Sequence, residues 1–122
     1  MARATAHSDH RLISSEDVVG TDVVGANDEV IGQIDHLLLE KVSGRAAYAV
    51  MSFGGILGLA HSHYPIPWGA LSYDTQVGGF RTGITEDQLR NAPEFSDDSW
   101  SEDRAWEKRT HEHYGAPAYW GR

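Results

Sequence analysis

Residues 47–71 read AYAVMSFGGILGLAHSHYPIPWGAL and spell out a hairpin. Ala47 to Phe53 joins β-formers with small residues and has no breaker, so it predicts a strand. Gly54, Gly55 and Gly58 permit the reversal, and Ser62 to Trp68 runs back as a second extended segment. Pro65 and Pro67 stand two apart, so their missing N–H groups fall on one side of that strand. That side is expected to be an edge or a break in the ladder. Trp68 then leads through Gly69 to Ala70 and Leu71, a large ring where the chain leaves the sheet.

Working outward, Gly25 and a turn at Asn27-Asp28 are followed by Ile31-Gly32-Gln33-Ile34-Asp35 and a turn at Ser43-Gly44-Arg45. Gly55-Ile56-Leu57-Gly58 and Ile66-Pro67-Trp68-Gly69-Ala70-Leu71 complete the series. In order and spacing this pattern, from Val18 to Leu89, resembles the PRC-barrel family. That is the small β-barrel of the cytoplasmic part of the photosynthetic reaction centre H subunit and of the C-terminal half of a ribosome maturation factor. The resemblance implies a fold and a class of role, holding other proteins, more than any chemistry.

Composition sets the outer bounds. A chain of 122 residues suits one domain with one core. It has no cysteine, so neither a disulfide framework nor a thiolate zinc site is available. No apolar run approaches the ~20 residues needed to span a bilayer, and Met1 to Arg11 lacks the apolar centre of a secretory signal. The expectation is a cytoplasmic protein without direct membrane insertion. A net charge of −8, with Lys41 and Lys108 the only lysines, argues against a nucleic-acid face or an anionic membrane surface.

The predicted organisation has three parts: a flexible leader over 1–11, a barrel over 12–92, and an acidic linker with a helical tail over 93–122. Ser14 and Asp17 have capping-box spacing for one short helical turn that Gly20 ends. Thr21 to Gly25 is a first strand, and Ala26 to Glu29 a tight turn whose Asn and Asp tolerate left-handed backbone. Val30 to Glu40 is the longest strand. Strict alternation puts Val30, Gly32, Ile34, His36 and Leu38 on one face, with Ile31, Gln33, Asp35, Leu37 and Leu39 on the other. Both faces become apolar at Leu37 to Leu39, as for a strand covered on both sides. Leu71 to Asp74 and Phe80 to Gly83 add two short strands, giving five or six that close into a small, mainly β barrel without exposed edges.

Thr85 with Gln88 forms a second capping box before a short helix that Pro93 must follow. Ser99 with Glu102 repeats the signature and predicts a helix running to Tyr114, with Gly115 as C-cap and Pro117 beyond. The tail holds Trp100, Trp106 and Trp120 of the four tryptophans, joined by Tyr114 and Tyr119. So many large rings in an acidic appendage must be covered by something.

Few constellations promise chemistry. His61 and His63 share a face if the segment is extended, and Asp35 or His36 offers a third ligand, so a divalent-metal site or metal-dependent enzyme is the alternative reading. The plainer reading, two solvated histidines at a hairpin mouth, is preferred. His111 and His113 diverge by about 200° around a helix and cannot grip one ion. The Gly54 to Gly58 loop lacks the Gly-Lys-Ser/Thr ending of a phosphate-binding loop. No serine sits in a nucleophile elbow, and the paired carboxylates fall at helix starts and linkers.

Surfaces remain. Leu37 and Leu39, the hairpin residues Ile56, Leu57 and Leu59, Trp68, and the tail rings Trp100, Trp106, Tyr114, Tyr119 and Trp120 form the candidate interaction set. The tail is expected to pack across its own barrel or to anchor on the partner subunit of a homodimer. The sequence therefore reads as a non-catalytic protein-interaction and assembly module, with no cofactor and a protein partner. The H-subunit resemblance implies reaction-centre assembly as its most specific form. The 122 residues show neither that subunit's transmembrane helix nor the maturation factor's N-terminal barrel, so neither specific function is carried over.

Overall fold

The computed structural model describes residues 11–52, 63–92 and 104–121. A single turn of helix, α1 (Ser15–Val18), leads into strand β1 (Asp22–Val24), the long β2 (Val30–Leu39) and β3 (Ala46–Ser52). β4 (His63–Pro67) passes through a 3-10 turn at Trp68–Ala70 into β5 (Leu71–Asp74) and β6 (Gly79–Thr82). Helices α2 (Glu86–Arg90) and α3 (Ala105–Tyr114) follow, and a 3-10 turn at Tyr119–Gly121 ends the described chain.

Local chemistry accounts for most of these boundaries. Ser14 caps α1 by accepting from the Glu16 amide at 3.2 Å, rather than through the expected reciprocal pair with Asp17. Thr85 and Gln88 form the predicted capping box, with both reciprocal bonds present. α3 ends at Gly115, whose φ of +68° is the left-handed geometry that a residue without Cβ adopts at little cost. The turn before β2 places Asp28 at a φ of +68°, as its Asn-Asp sequence predicts.

The six strands form one sheet in the order β4-β3-β2-β1-β6-β5. All neighbours are antiparallel except β1 and β6, which pair in parallel through Val23 with Phe80 and Val24 with Arg81. β4 and β5 are opposite ends of this order, yet only Trp68–Ala70 separates them in the chain. Three residues reach about 10 Å, so the sheet must roll until its two ends approach. It does not close. Among the described residues β4 and β5 remain hydrogen-bond edges, which corrects the expectation of a barrel without edges. Pro65 and Pro67 lie on β4, so the edge strand is the one short of N–H donors.

A second correction concerns β2. Strict alternation fails because the register slips between Ile34 and His36, leaving Asp35 without a partner, and again between Leu38 and Leu39. The bulge at Asp35 keeps Ile34, opposite Met51, and Leu37, opposite Ala49, on the same inner face. A third irregularity lies between β1 and β2, where Val24 pairs with Val30 but Val23 pairs with Gly32. Ile31, Ile34 and Leu37 thus point inward at a spacing of three. Gly32 is pressed against β3, where an added Cβ would stand 2.6 Å from the Ser52 carbonyl oxygen.

Two apolar clusters result. The inner one fills the rolled sheet with Val23, Ile34, Met51, Ile66, Phe80 and Leu89, each worth roughly 1.5–3 kcal/mol of burial. Trp68 packs at its rim, ring centroid 5.4 Å from Phe80. The outer one lies on the opposite face of β3, where Ala47 and Tyr48 meet Trp106 of α3, flanked by Leu38 and Tyr119. Of the Leu37 to Leu39 end expected to be covered on both sides, Leu37 packs on the inner cluster and Leu38 on the outer one beneath α3, whereas Leu39 is 59 % exposed.

Candidate functional site

The most developed polar arrangement lies under that helix. Tyr48 is the one residue of β3 with a polar side chain among Ala46 to Met51, and it points at the outer face, where it is 1 % exposed. Its hydroxyl donates to Glu107 Oε1 at 2.8 Å and stands 2.9 Å from His111 Nε2. Tyr119 donates to the same Glu107 oxygen at 2.7 Å, and the carbonyl of Ala116 lies 3.1 Å from His111 Nδ1. Glu107 and His111 are four apart, one above the other on the helix face that meets the sheet. Trp106 and Thr110 share the buried side of the helix, with Thr110 donating to the Trp106 carbonyl at 2.8 Å.

Rings frame these contacts. Tyr48 lies 4.9 Å from Trp106 and 6.0 Å from Tyr119, and His111 meets Trp120 edge-on at 5.1 Å. The Arg104 guanidinium sits 4.3 Å above Trp120 and 5.8 Å from the Tyr119 ring. Burial, followed by the hydrogen bond and charge of Glu107, holds the Tyr48 hydroxyl far above the ordinary phenol range. The same causes push Tyr119 up to about 12. A buried, tightly protonated phenol is suited to holding the helix on the sheet.

His113 leaves the same helix on another side and approaches α2, its Nε2 2.6 Å from the Gln88 carbonyl oxygen. The two tail histidines therefore serve different neighbours, as their angular separation requires. Tyr114 reaches the inner cluster, where burial raises its hydroxyl above the ordinary range. That oxygen has no hydrogen-bond partner among the described residues.

The proposed metal ligands are only partly placed. Asp35, at the β2 bulge, bonds His36 Nδ1 at 2.7 Å and lies 3.8 Å from His63 Nε2. No group of three such residues is arranged to hold an ion among the described residues, and His61 lies outside them. Ile56, Leu57, Leu59 and Trp100 also lie outside, as does the Ser99 and Glu102 cap. Of the remaining candidate interaction residues, Leu37, Trp68 and Tyr114 pack on the inner cluster, while Trp106 and Tyr119 build the outer one. Trp120 is half-buried, and Leu39 is 59 % exposed. Sequence reasoning picked out the tail rings and set His111 aside as a metal ligand, but gave Tyr48 and Glu107 no role. The signals were a lone hydroxyl in an apolar strand and a Glu/His pair at helical spacing. No described helix is long and apolar enough to cross a membrane.

No curated protein matches this chain. Among solved structures it is similar to RimM of Pseudomonas aeruginosa, described as a 16S ribosomal RNA processing protein, at 24% identity and a TM-score of 0.42. The match covers 66% of this chain and 48% of that one, so the chain spans about half the length of that structure. The PRC-barrel domain model matches residues 10–89, from the approach to α1 through α2. With more than half of the chain matched across all six strands, the protein belongs to the PRC-barrel domain family.

Proposed function

We propose that this protein is a non-catalytic interaction and assembly module, with residues 12–92 as scaffold and 93–122 as linker and tail, that self-associates and docks on another protein. The observation that carries the reading is an apolar hairpin end beyond the cover of α3. Leu39 is 59 % exposed and Val42 96 % exposed, whereas Leu37 and Leu38 on the same strand are packed into the two clusters. The PRC-barrel match supports the class of role. Because Trp106 and Tyr119 are engaged with their own barrel, docking falls to the hairpin end rather than to the tail rings.

Sedimentation velocity of the full chain from low to high micromolar concentration tests self-association. Wild type is expected to dimerise with concentration, and the Leu39→Asp, Val42→Asp double variant to stay monomeric. A wild-type monomer throughout would remove the homodimer. Cosedimentation with isolated photosynthetic reaction centres tests the most specific partner that the H-subunit resemblance implies, with the same variant as control.

A further inference from the structure

We propose that α3 is a proton-gated latch: the Tyr48, Glu107 and His111 cluster takes up one proton as the helix docks on the sheet, so that acid holds the tail down and base releases it. A count of hydrogens carries the argument. The Ala116 carbonyl, 3.1 Å from His111 Nδ1, can only accept, so Nδ1 carries a proton. Nε2 faces the Tyr48 oxygen at 2.9 Å. The single proton of Tyr48 is directed at Glu107 Oε1, which also receives the proton of Tyr119.

With Glu107 ionised and His111 neutral, these four contacts share three hydrogens, and either Tyr48–Glu107 or Tyr48–His111 is left without one. One additional proton, on His111 Nε2 or on Glu107, completes all four. His111 is 6 % exposed and Tyr48 1 %, so their contact is shut off from water, while Glu107 is half-buried. In the released tail both groups are hydrated and the demand for that proton disappears.

The groups that face the pair come from several elements. β3 contributes Tyr48 and α3 contributes Glu107, while the hydroxyl of the adjacent Thr110 is engaged with the Trp106 carbonyl. The terminal turn contributes Tyr119 and Trp120, with the Arg104 cation over both rings and the Glu40 charge felt at Tyr119. The extra proton belongs to the Glu107 and His111 pair as a unit.

The sign follows from linkage. The docked state holds one proton more than the released state, so raising pH favours release, by up to about tenfold in the docking equilibrium per pH unit. Release uncovers the Leu38, Ala47 and Tyr48 face.

Amide hydrogen exchange of α3 in the full chain, corrected for intrinsic rates between about pH 6 and 8.5, tests the latch. Wild type is expected to lose protection as pH rises, His113→Gln to behave like wild type, and His111→Gln to be flat, because its amide N–H does not titrate. Tyr48→Phe keeps the ring against Trp106 without the shared hydroxyl and should also be flat. A flat wild type, or a slope that survives in His111→Gln or vanishes in His113→Gln, overturns the proposal. Nuclear magnetic resonance of the docked state gives a second readout. An additional proton on His111 Nε2 or on the Glu107 carboxyl supports it, and a neutral ring beside an ionised carboxylate overturns it.

Discussion

Tyr48 of β3 and His111 of α3 are 63 residues apart in the chain and meet at 2.9 Å between phenol oxygen and Nε2, sealed beneath Trp106. This contact joins α3 to β3, the strand next to the β4 edge of the sheet.

Trp106 is the main apolar anchor of that junction, at 6 % exposure. Replacing it with alanine removes the ring packed on Tyr48 and should cost about 3–5 kcal/mol. Urea unfolding checks the value. A loss below 1 kcal/mol on the same mutational scale would show that the helix is held by its polar contacts alone.

Gly32 is required by a close approach rather than by its dihedrals. Gly32→Ala drives a Cβ to 2.6 Å from the Ser52 oxygen and 2.8 Å from Met51 Cγ, and should destabilise by about 1–3 kcal/mol. Gly79→Ala meets the Asp22 carbonyl oxygen at 2.7 Å and should behave similarly, because it wedges apart the parallel pair of β1 and β6. Gly69→Ala has nothing within 4 Å and is the control, expected to be near neutral. Thermal melts of the three variants rank them.

Alkali should unfold the protein through its tyrosines. Tyr48, Tyr114 and Tyr119 all hold their protons more tightly when folded, mainly because they are buried. The unfolded chain releases them near the ordinary phenol value of about 10. Their contribution is complete below that value and is lost as pH rises through the folded-state values, Tyr119 being at about 12. Urea midpoints measured across this range should fall, less steeply in Tyr119→Phe, with tyrosinate absorbance as the parallel signal.

Acid acts at a different place. Asp74 bonds Arg81 Nε at 2.6 Å and accepts from the Gln76 amide at 2.9 Å, and these contacts hold its carboxyl below the ordinary carboxylate range. Its contribution is present above that range and lost as pH falls through the lowered value. Asp74→Asn should abolish this part of the acid sensitivity while leaving the alkaline limb unchanged. Denaturant midpoints in mildly and strongly acidic buffer provide the comparison.

Much of the architecture was legible locally. Thr85 and Gln88 announce their helix, Gly115 ends the last one, and Asn27-Asp28 makes the turn into β2, because each acts on backbone within a few residues of itself. Pro65 and Pro67 mark an edge strand for the same reason, since each lacks its own N–H. The candidate site was legible only in part. The tail rings declared that they needed cover, without saying what would cover them.

The sequence by itself determined the strands and their caps, the edge at β4 and the PRC-barrel pattern, all of which depend on short-range backbone chemistry and on the order of segments. Only the tertiary structure decided that Asp35 bulges so that Ile34 and Leu37 share a face, since a bulge depends on the facing strand's register. It also decided that Tyr48, Glu107, His111 and Tyr119 form one network. No local propensity selects a partner some sixty residues away; docking α3 over β3 brings these groups together, where burial makes each missing hydrogen costly.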